Sequence, residues 1–425
     1  MPSSVFFYSV KLTFGRYDYA CFAAFTAYAC CSLIIPVALV TMARDLEFPL
    51  EDGGMGAGGR LHLIRSVAMV ISLLSCSLLA AKIGKRWSMG IAMLLMGSGI
   101  FLCAFSPVYW FLLPCLMIAG IGEGICEGLA TPFVHDLHTD APSNYINTAH
   151  SFWSVGTGLV VILGGFLLTI GLHWRIIIAA TGLICISTAL GFIWKENPNH
   201  KYPETMQKTG SSNLLTNSWA ICKSIRFWIY CLGMFMGAGA EFCLTFWSSS
   251  YIQLNFNTSP WLGGLGTAFI ALGMFTGRYS FGKYVKERHL IHLLLITGVA
   301  GIPVTGLVAL ITPDTLGSHG LSLALMFLLI FLSGICVAPY WPCLQSYGVA
   351  MLPKLDSTLL FVYFSSIGIP GCGFFTWLMG VAGDHYGLRQ SFVLIPITLL
   401  LFSLIIFLEG FVFPPKLKTS CHATA

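Results

Sequence analysis

The sequence has 425 residues, of which 56% are apolar and 9% are charged. Soluble domains carry about 25% charged residues, so this composition excludes an ordinary soluble protein and favours many membrane spans. The net charge of +5 is small and spread over short runs, which argues against a nucleic-acid-binding surface.

The chain starts with MPSSVFFYSVKLTFGR, which has no small-residue cleavage site after an apolar core, so we expect no cleavable signal peptide. Twelve apolar runs follow, each close to the roughly 20 residues that cross a bilayer as a helix. The sequence therefore predicts an all-α, multi-pass membrane protein embedded in a lipid bilayer. The predicted spans are 18–42, 61–81, 87–106, 109–135, 147–171, 173–194, 225–251, 261–281, 290–312, 321–349, 357–381 and 390–413.

The longest polar interruption, KENPNHKYPETMQKTGSSN, lies between the sixth and seventh spans. Its charges, prolines and glycine are typical of a linker. It divides the chain into two six-helix halves, which we place at residues 1–196 and 223–425, with a cytoplasmic linker at 197–222.

Lysine and arginine are distributed unequally between the two sides of the predicted bundle. Of the 22 Lys and Arg residues, five fall on one side: Arg44, Arg60, Arg65, Arg175 and Arg389. Because cytoplasmic loops carry the excess of positive charge, we expect both termini to be cytoplasmic.

Short signals recur at matching positions of the two halves. The loop after span two reads SLLAAKIGKR (77–86), and the loop after span eight reads GRYSFGKYVKER (277–288). The turn into span six reads GLHWRIII (171–178), and the turn into span twelve reads GDHYGLRQSF (383–392). Internal repeats are typical of secondary transporters, which bind their solute near the membrane midplane between the halves.

The fourth predicted span contains GIGEGICEGLATPFVHD. Since residues four apart share a helix face, it carries a polar stripe beside a glycine stripe. The polar stripe is Glu123, Glu127, Thr131 and His135, and the glycine stripe is Gly120, Gly124 and Gly128. The glycines predict close packing against a neighbouring helix.

Carboxylates at membrane depth are costly and usually face a cavity or a partner. We therefore predict that Glu127 binds the coupling proton. Glu123 lies nearer the outer end of the span and is interpreted either as a proton relay or as one member of a structural ion pair.

Three further ionisable residues lie within or at the edge of predicted spans. Glu241 in span seven is a candidate for hydrogen bonding a substrate or for coupling. His150 at the start of span five either bonds a loop or relays a proton. Arg65 either snorkels to the head groups or contacts a negatively charged substrate, because its guanidinium matches a carboxylate or sulfonate.

Aromatic and amide side chains within spans are candidate solute contacts. Aromatic faces stack on flat apolar surfaces, and amides supply directional hydrogen bonds. These candidates are Trp153, Trp247, Tyr251, Trp341 and Gln345. The segment APYWPCLQ (338–345) adds two prolines, which interrupt helical hydrogen bonding and free backbone groups to line a cavity.

The 15 cysteines lie mostly in apolar runs and form no CxxC pair, so they are interpreted as small buried hydrophobes. No metal-ligand set, catalytic nucleophile or phosphate loop is evident. We expect neither a metal site nor another cofactor, and we expect no enzymatic activity.

SLLAAKIGKR resembles the loop 2–3 motif of the major facilitator superfamily, G-x-L-A-D-R-x-G-R-R/K, with Ala81 in place of the acidic residue. GVAGDHYGLR (380–389) is similar to the usual end of span eleven in that family. The resemblance implies twelve helices in two pseudo-symmetric halves that alternate access to a central site. It also implies that charges at the helix ends act as a gate, and these are Lys82, Lys85, Arg86, Arg278, Asp384 and Arg389.

ICEGLATPFV (125–134) is similar to the span-four signature of the fucose permease-like sugar:proton symporters, in which a membrane Glu precedes Asn-Pro-Phe. Glu127 matches that Glu, and Thr131 replaces the Asn and joins the candidate substrate contacts. INTAHSFWSVGTG (146–158) and GAGAEFCLTFWSSSYI (237–252) resemble spans five and seven of the same group.

Those permeases also carry an Asp in span one, whereas residues 28–36 here contain no carboxylate. The resemblance implies a monomeric importer in a bacterial inner membrane. Its solute would be a monosaccharide or a related polar or acidic sugar, taken up with a proton or alternatively with Na⁺. Export of amphipathic drugs by the same fold and a non-transporting membrane sensor are the alternatives, and the sensor would need a soluble signalling domain.

Overall fold

The computed structural model describes residues 13–138, 142–195, 201–203, 211–285 and 289–413. Within these ranges the fold is built from α-helices. The first half contains α1 (Arg16–Asp45), α2 (Met55–Ile83), α3 (Lys85–Cys103), α4 (Tyr109–Leu137), α5 (Pro142–Thr169) and α6 (Trp174–Ile193). A short 3-10 helix, Leu50–Asp52, precedes α2.

A further helix, α7 (Ser211–Cys222), precedes the second half. That half contains α8 (Ile225–Asn255), α9 (Pro260–Tyr284), α10 (Leu290–Leu310), α11 (His319–Val337), α12 (Tyr340–Met351), α13 (Ser357–Tyr386), α14 (Leu388–Ser391) and α15 (Leu394–Val412). The helix α7 lies within residues 197–222, which the sequence predicts as the linker. Ile221 on α7 is buried, which gives this short helix an apolar contact.

Eleven helical segments of the described chain are long and apolar enough to cross a membrane, with α11 and α12 forming one such segment and α14 and α15 another. The helix α9 is as long but less hydropathic, since it carries six glycines besides Arg278. It packs between α5, α8 and α11, where glycines allow close contact, and it supplies the twelfth span. The predicted all-α fold of twelve membrane helices in two six-helix halves is confirmed.

The predicted span ten is divided into α11 and α12 at Ala338 and Pro339. A helical Ala338 carbonyl would accept the N–H of residue 342, but Pro342 has none. The expected interruption at these prolines is therefore present. It leaves a backbone acceptor inside the second half.

The glycine stripe of α4 packs against α2, as the sequence predicts. A methyl group added at Gly120 would collide with the Arg65 carbonyl, and one at Gly124 would collide with the Met69 carbonyl and Ser72 Oγ. One at Gly128 would lie 2.5 Å from Cys76 Sγ. These glycines bring the two backbones into direct contact.

We expect Gly124→Ala to destabilise the protein by about 1–3 kcal/mol, the cost of overpacking a tight contact. The matched control is Gly158→Ala, because no atom lies within 4 Å of a methyl group added there. Thermal unfolding of the detergent-purified proteins compares the two. Equal midpoints for both variants would contradict the assigned packing of α4 on α2.

Candidate functional site

Two glutamates on α4, a single helical turn apart, occupy different environments. The Arg65 guanidinium on α2 binds Glu123 with both Nε and Nη2, and the Nε–Oε2 distance is 2.6 Å. Ser32 Oγ on α1 donates to the Glu123 carboxylate at 2.8 Å. Arg65 also donates to the carbonyls of Cys31 at 2.9 Å and Ser32 at 3.3 Å.

The side chains of Arg65 and Glu123 are only 4% and 2% exposed, and their charges balance within the first half. This corrects the interpretation that Arg65 snorkels to the head groups. Its donors are directed to groups inside the bundle, so we do not place it in contact with a substrate. For Glu123 the structural ion pair is observed, rather than a carboxylate open to a proton pathway.

Glu127 has no such cation. It is half-buried, lies beside the Tyr28 hydroxyl of α1, and pairs with no Lys or Arg in the described part of the chain. One helical turn further along α4, Thr131 Oγ1 lies 2.9 Å from His150 Nε2 on α5. The His150 ring also contacts Phe25 of α1 and its side chain is exposed. Glu127 and the Thr131–His150 pair therefore lie on successive turns of α4, where it meets α1 and α5.

A second pair of ionisable groups lies in the other half. Arg278 Nη2 on α9 donates to Glu241 Oε1 on α8 at 3.0 Å, and its Nε donates to the Ala338 carbonyl at 3.1 Å. This is the carbonyl that Pro342 leaves without a helical donor. Arg278 therefore joins α8, α9 and the break between α11 and α12, and it lies inside the helix rather than in the loop where the sequence placed it.

A cavity between the two halves opens beside this pair. Trp153 and Thr157 of α5 line it from the first half, and Thr245, Thr267 and Arg278 line it from the second. Arg278 is the one charged side chain that lines it in the described chain. Trp153, predicted as a substrate contact, thus lies on the cavity wall.

Four other predicted substrate contacts are engaged in packing. Trp247 is fully buried, with its indole N–H donating to the Thr376 carbonyl at 3.0 Å, and Tyr251 is fully buried with its hydroxyl donating to the Val308 carbonyl at 2.9 Å. Gln345 is buried and donates to Ser365 Oγ at 3.0 Å, while Trp341 packs on Gly368. The structure therefore does not bring these residues together with Trp153 at the cavity wall.

His62 on α2 was not among the candidates, yet it lies between the halves. Its ring stacks on Phe242 of α8 with centroids 4.2 Å apart and an interplanar angle of 7°. Its Nε2 lies 3.4 Å from Ser66 Oγ. Its position within the predicted span 61–81 is the sequence signal that could have identified it.

The charged residues at the helix ends link several helices. Lys85 of α3 pairs with Asp136 of α4 at 2.6 Å, and Arg86 donates to the Phe192 carbonyl at the end of α6 at 2.6 Å. Lys82 lies in the last turn of α2, and Arg389 lies in α14. Lys85 and Arg86 thus connect helices of the first half.

Asp384 at the end of α13 acts across the two halves. Its carboxylate accepts hydrogen bonds from the backbone N–H groups of Met55 and Gly56, both at 2.7 Å, at the start of α2. In the reciprocal position, Thr169 Oγ1 at the end of α5 accepts the N–H of Trp261 in the first turn of α9 at 2.8 Å. In each half the fifth span thus caps the second span of the other half, as two-fold pseudo-symmetry requires.

Both caps lie at the same end of the molecule. In the described chain, every glycine that packs against the opposite half also lies toward this end, on α2 and α13 or on α5 and α9. The halves are therefore closed against each other here, at the side that the lysine and arginine distribution predicts to be outer.

A family model of the Major Facilitator Superfamily matches residues 20–324. The chain belongs to this superfamily. The comparison with curated proteins found no match. The chain is thus a multi-pass membrane transporter of the superfamily.

Solved structures of superfamily members share the fold over nearly the whole chain. A bacterial homologue of the human lysosomal transporter Spinster, in an inward-facing and occupied conformation, has 16% identity and a TM-score of 0.71, covering 93% of this chain and 97% of that chain. A D-xylose–proton symporter has 13% identity and a TM-score of 0.73, covering 92% and 97%. The E. coli fucose:proton symporter has 14% identity and a TM-score of 0.61, covering 92% and 98%.

Proposed function

We propose that this superfamily transporter imports a monosaccharide or a closely related polar solute together with a proton. The observation that carries the proposal is Glu127, a half-buried carboxylate without a cation partner in the described chain. A buried carboxylate disfavours its charged form, and binding a proton relieves that cost. Glu123, one turn away, is already neutralised by Arg65.

The cavity wall supports a polar solute. Six of the ten residues that line the cavity carry polar groups, including three threonines, Trp153 and Arg278, and the other four are Ile270, Ala271, Met274 and Phe275. Trp153 supplies a flat face for a sugar ring, and the hydroxyls supply hydrogen bonds in both directions. An exporter of amphipathic drugs would be expected to line its cavity mainly with Phe and Met, whereas this cavity has one of each, Phe275 and Met274. Two of the structural neighbours are sugar–proton symporters, which is consistent with this assignment.

Transport would proceed by rocking the halves about this cavity. The present conformation is closed at the end with the reciprocal caps, which the predicted topology places on the outer side. Opening the outer side requires the α2 and α9 caps to separate and the His62–Phe242 stack to part. Asp384 and Thr169 would then act as gate residues, because their bonds exist only while the outer side is closed.

We expect Asp384→Asn to weaken the cap of α2 by about 0.5–2 kcal/mol, the usual value of a helix cap. Hydrogen–deuterium exchange of the first turn of α2 should then become about 2- to 30-fold faster. Thr169→Ala should have the same effect on the first turn of α9 alone. Asp52→Asn is the control, since Asp52 is exposed near the start of α2. Unchanged exchange at α2 in Asp384→Asn would show that this cap does not hold the gate.

The transport proposal is tested in proteoliposomes loaded with the purified protein. Uptake of radiolabelled neutral and acidic sugars is measured under an imposed pH gradient, an imposed sodium gradient, and neither. We expect accumulation of at least one sugar that depends on the pH gradient. Failure of every sugar to exchange across the membrane would refute a sugar as the solute, and accumulation driven by sodium alone would refute proton coupling.

A further inference from the structure

The ion pair between Glu241 and Arg278 is incomplete at the carboxylate. Only one carboxylate oxygen, Oε1, is bonded to the guanidinium, while Oε2 is buried and without a hydrogen-bond partner in the described chain. A buried polar atom without a partner costs about 1–3 kcal/mol. A purely structural pair would be expected to satisfy both oxygens, as Glu123 does in the other half.

Arg278 itself has donors to spare. A guanidinium carries five N–H groups, and the bonds to Glu241 and to the Ala338 carbonyl use two of them. Its side chain is 36% exposed and lines the cavity. The Ala338 carbonyl holds the guanidinium plane in place, so its remaining donors are presented from a fixed position.

A third unsatisfied group lies on the same wall. Thr267 Oγ1 on α9 is buried and has no hydrogen-bond partner in the described residues, although the residue lines the cavity. The wall therefore presents spare donors on Arg278 and a hydroxyl on Thr267 that can donate or accept, while the unpaired Glu241 oxygen is buried beside Arg278. Neighbouring hydroxyl groups on a sugar donate and accept together, and they complement this combination.

The charge of the wall restricts the solute further. Glu241 neutralises the charge of Arg278, and Glu123 neutralises the charge of Arg65. A solute carboxylate bound at Arg278 would meet the Glu241 carboxylate, and like charges at close range in a poorly hydrated cavity repel strongly. The wall thus favours a solute without net charge.

We propose that Arg278 and Glu241 are the specificity-determining pair of the cavity, and that they select neutral sugars through adjacent hydroxyls and reject sugar acids. This inference rests on the proposed function, since it names the substrate class of the same cavity. It also narrows the expectation from the sequence, which left acidic sugars open. Arg278, interpreted from the sequence as part of a gate, becomes a substrate-binding residue.

The test uses three matched pairs of probes in a counterflow assay with no ion gradient: D-glucose with D-glucuronate, D-galactose with D-galacturonate, and D-mannose with D-mannuronate. We expect the wild-type protein to exchange a neutral sugar at least about tenfold better than its acid. Arg278→Gln should weaken apparent affinity for that sugar by about 10- to 100-fold, because hydrogen bonds to a charged group are lost. Arg278→Lys keeps the charge but not the planar guanidinium, so its affinity for the sugar should lie between those of the wild-type protein and Arg278→Gln.

The sharpest variant is Glu241→Gln, which leaves Arg278 without its counter-charge. Its preference should shift toward the acid by about tenfold or more, which is a gain of function that misfolding cannot produce. Glu51→Gln is the matched control, because it makes the same chemical change in an exposed ion pair with Arg44. Its preference should equal that of the wild type.

The outcomes separate the two proposals. If no probe exchanges with the wild-type protein, the sugar assignment fails and this inference fails with it. If neutral sugars exchange but Glu241→Gln and Arg278→Gln keep the wild-type affinity and preference, the sugar assignment stands and the specificity role of this pair is overturned. A wild-type preference for the acids overturns the charge argument directly.

Discussion

Arg65→Met should strongly reduce the yield of folded protein, because it leaves the buried Glu123 carboxylate without its cation. Removing one member of a buried ion pair typically costs about 3–5 kcal/mol. Glu123→Leu should be as damaging, since it strands the Arg65 guanidinium between α1, α2 and α4. The double variant Arg65→Met/Glu123→Leu removes both charges and should recover much of the loss.

Fluorescence-detected gel filtration after heating measures this series on detergent extracts. The control is Arg44→Met, because the Arg44–Glu51 pair is largely exposed and such pairs contribute about 0–1 kcal/mol. Wild-type thermal stability in Arg65→Met would contradict the structural role. A double variant that is no more stable than either single variant would show that the residues do not act as a pair.

Glu127→Gln should uncouple transport without preventing it. Glutamine keeps the shape of the side chain but cannot bind and release a proton at this position. An inward gradient of one pH unit supports about tenfold accumulation when one proton accompanies each solute, since 1.4 kcal/mol is a factor of ten. In Glu127→Gln the internal and external concentrations should become equal, while counterflow stays close to the wild-type rate.

Two controls make the uncoupling specific. Glu51→Gln should accumulate solute like the wild type. His150→Gln should retain accumulation in part if His150 only delivers the proton by way of Thr131, which lies 2.9 Å from it. Concentration of solute against a gradient by Glu127→Gln would remove Glu127 from the coupling mechanism.

The bilayer makes much of this fold readable from sequence. Because each span must satisfy its backbone internally and present apolar side chains to lipid, the helices follow directly from hydropathy. The glycine stripe of α4 was also readable, since small residues four apart have few uses other than close helix packing. The prolines of APYWPCLQ marked the helix break for a similarly local reason.

The different environments of Glu123 and Glu127 could not be predicted from the sequence. Both are carboxylates on one face of one helix, and only the approach of Arg65 from α2, 58 residues earlier in the chain, distinguishes them. The position of the Arg278 guanidinium likewise depends on the Ala338 carbonyl, 60 residues later in the chain. That carbonyl lacks a helical donor because residue 342 is a proline. Trp247 and Tyr251 looked like substrate contacts because aromatic residues serve both packing and sugar binding, and a single sequence does not distinguish the two uses.

Coupling itself is measured most directly by proton movement. Proteoliposomes in a weakly buffered medium without an imposed gradient are mixed with the transported sugar while the external pH and sugar entry are followed together. Sugar entry through the wild-type protein should make the medium more alkaline, and entry through Glu127→Gln should leave the external pH unchanged. Sugar entry without alkalinisation in the wild type, or alkalinisation that persists in Glu127→Gln, would contradict proton coupling at Glu127.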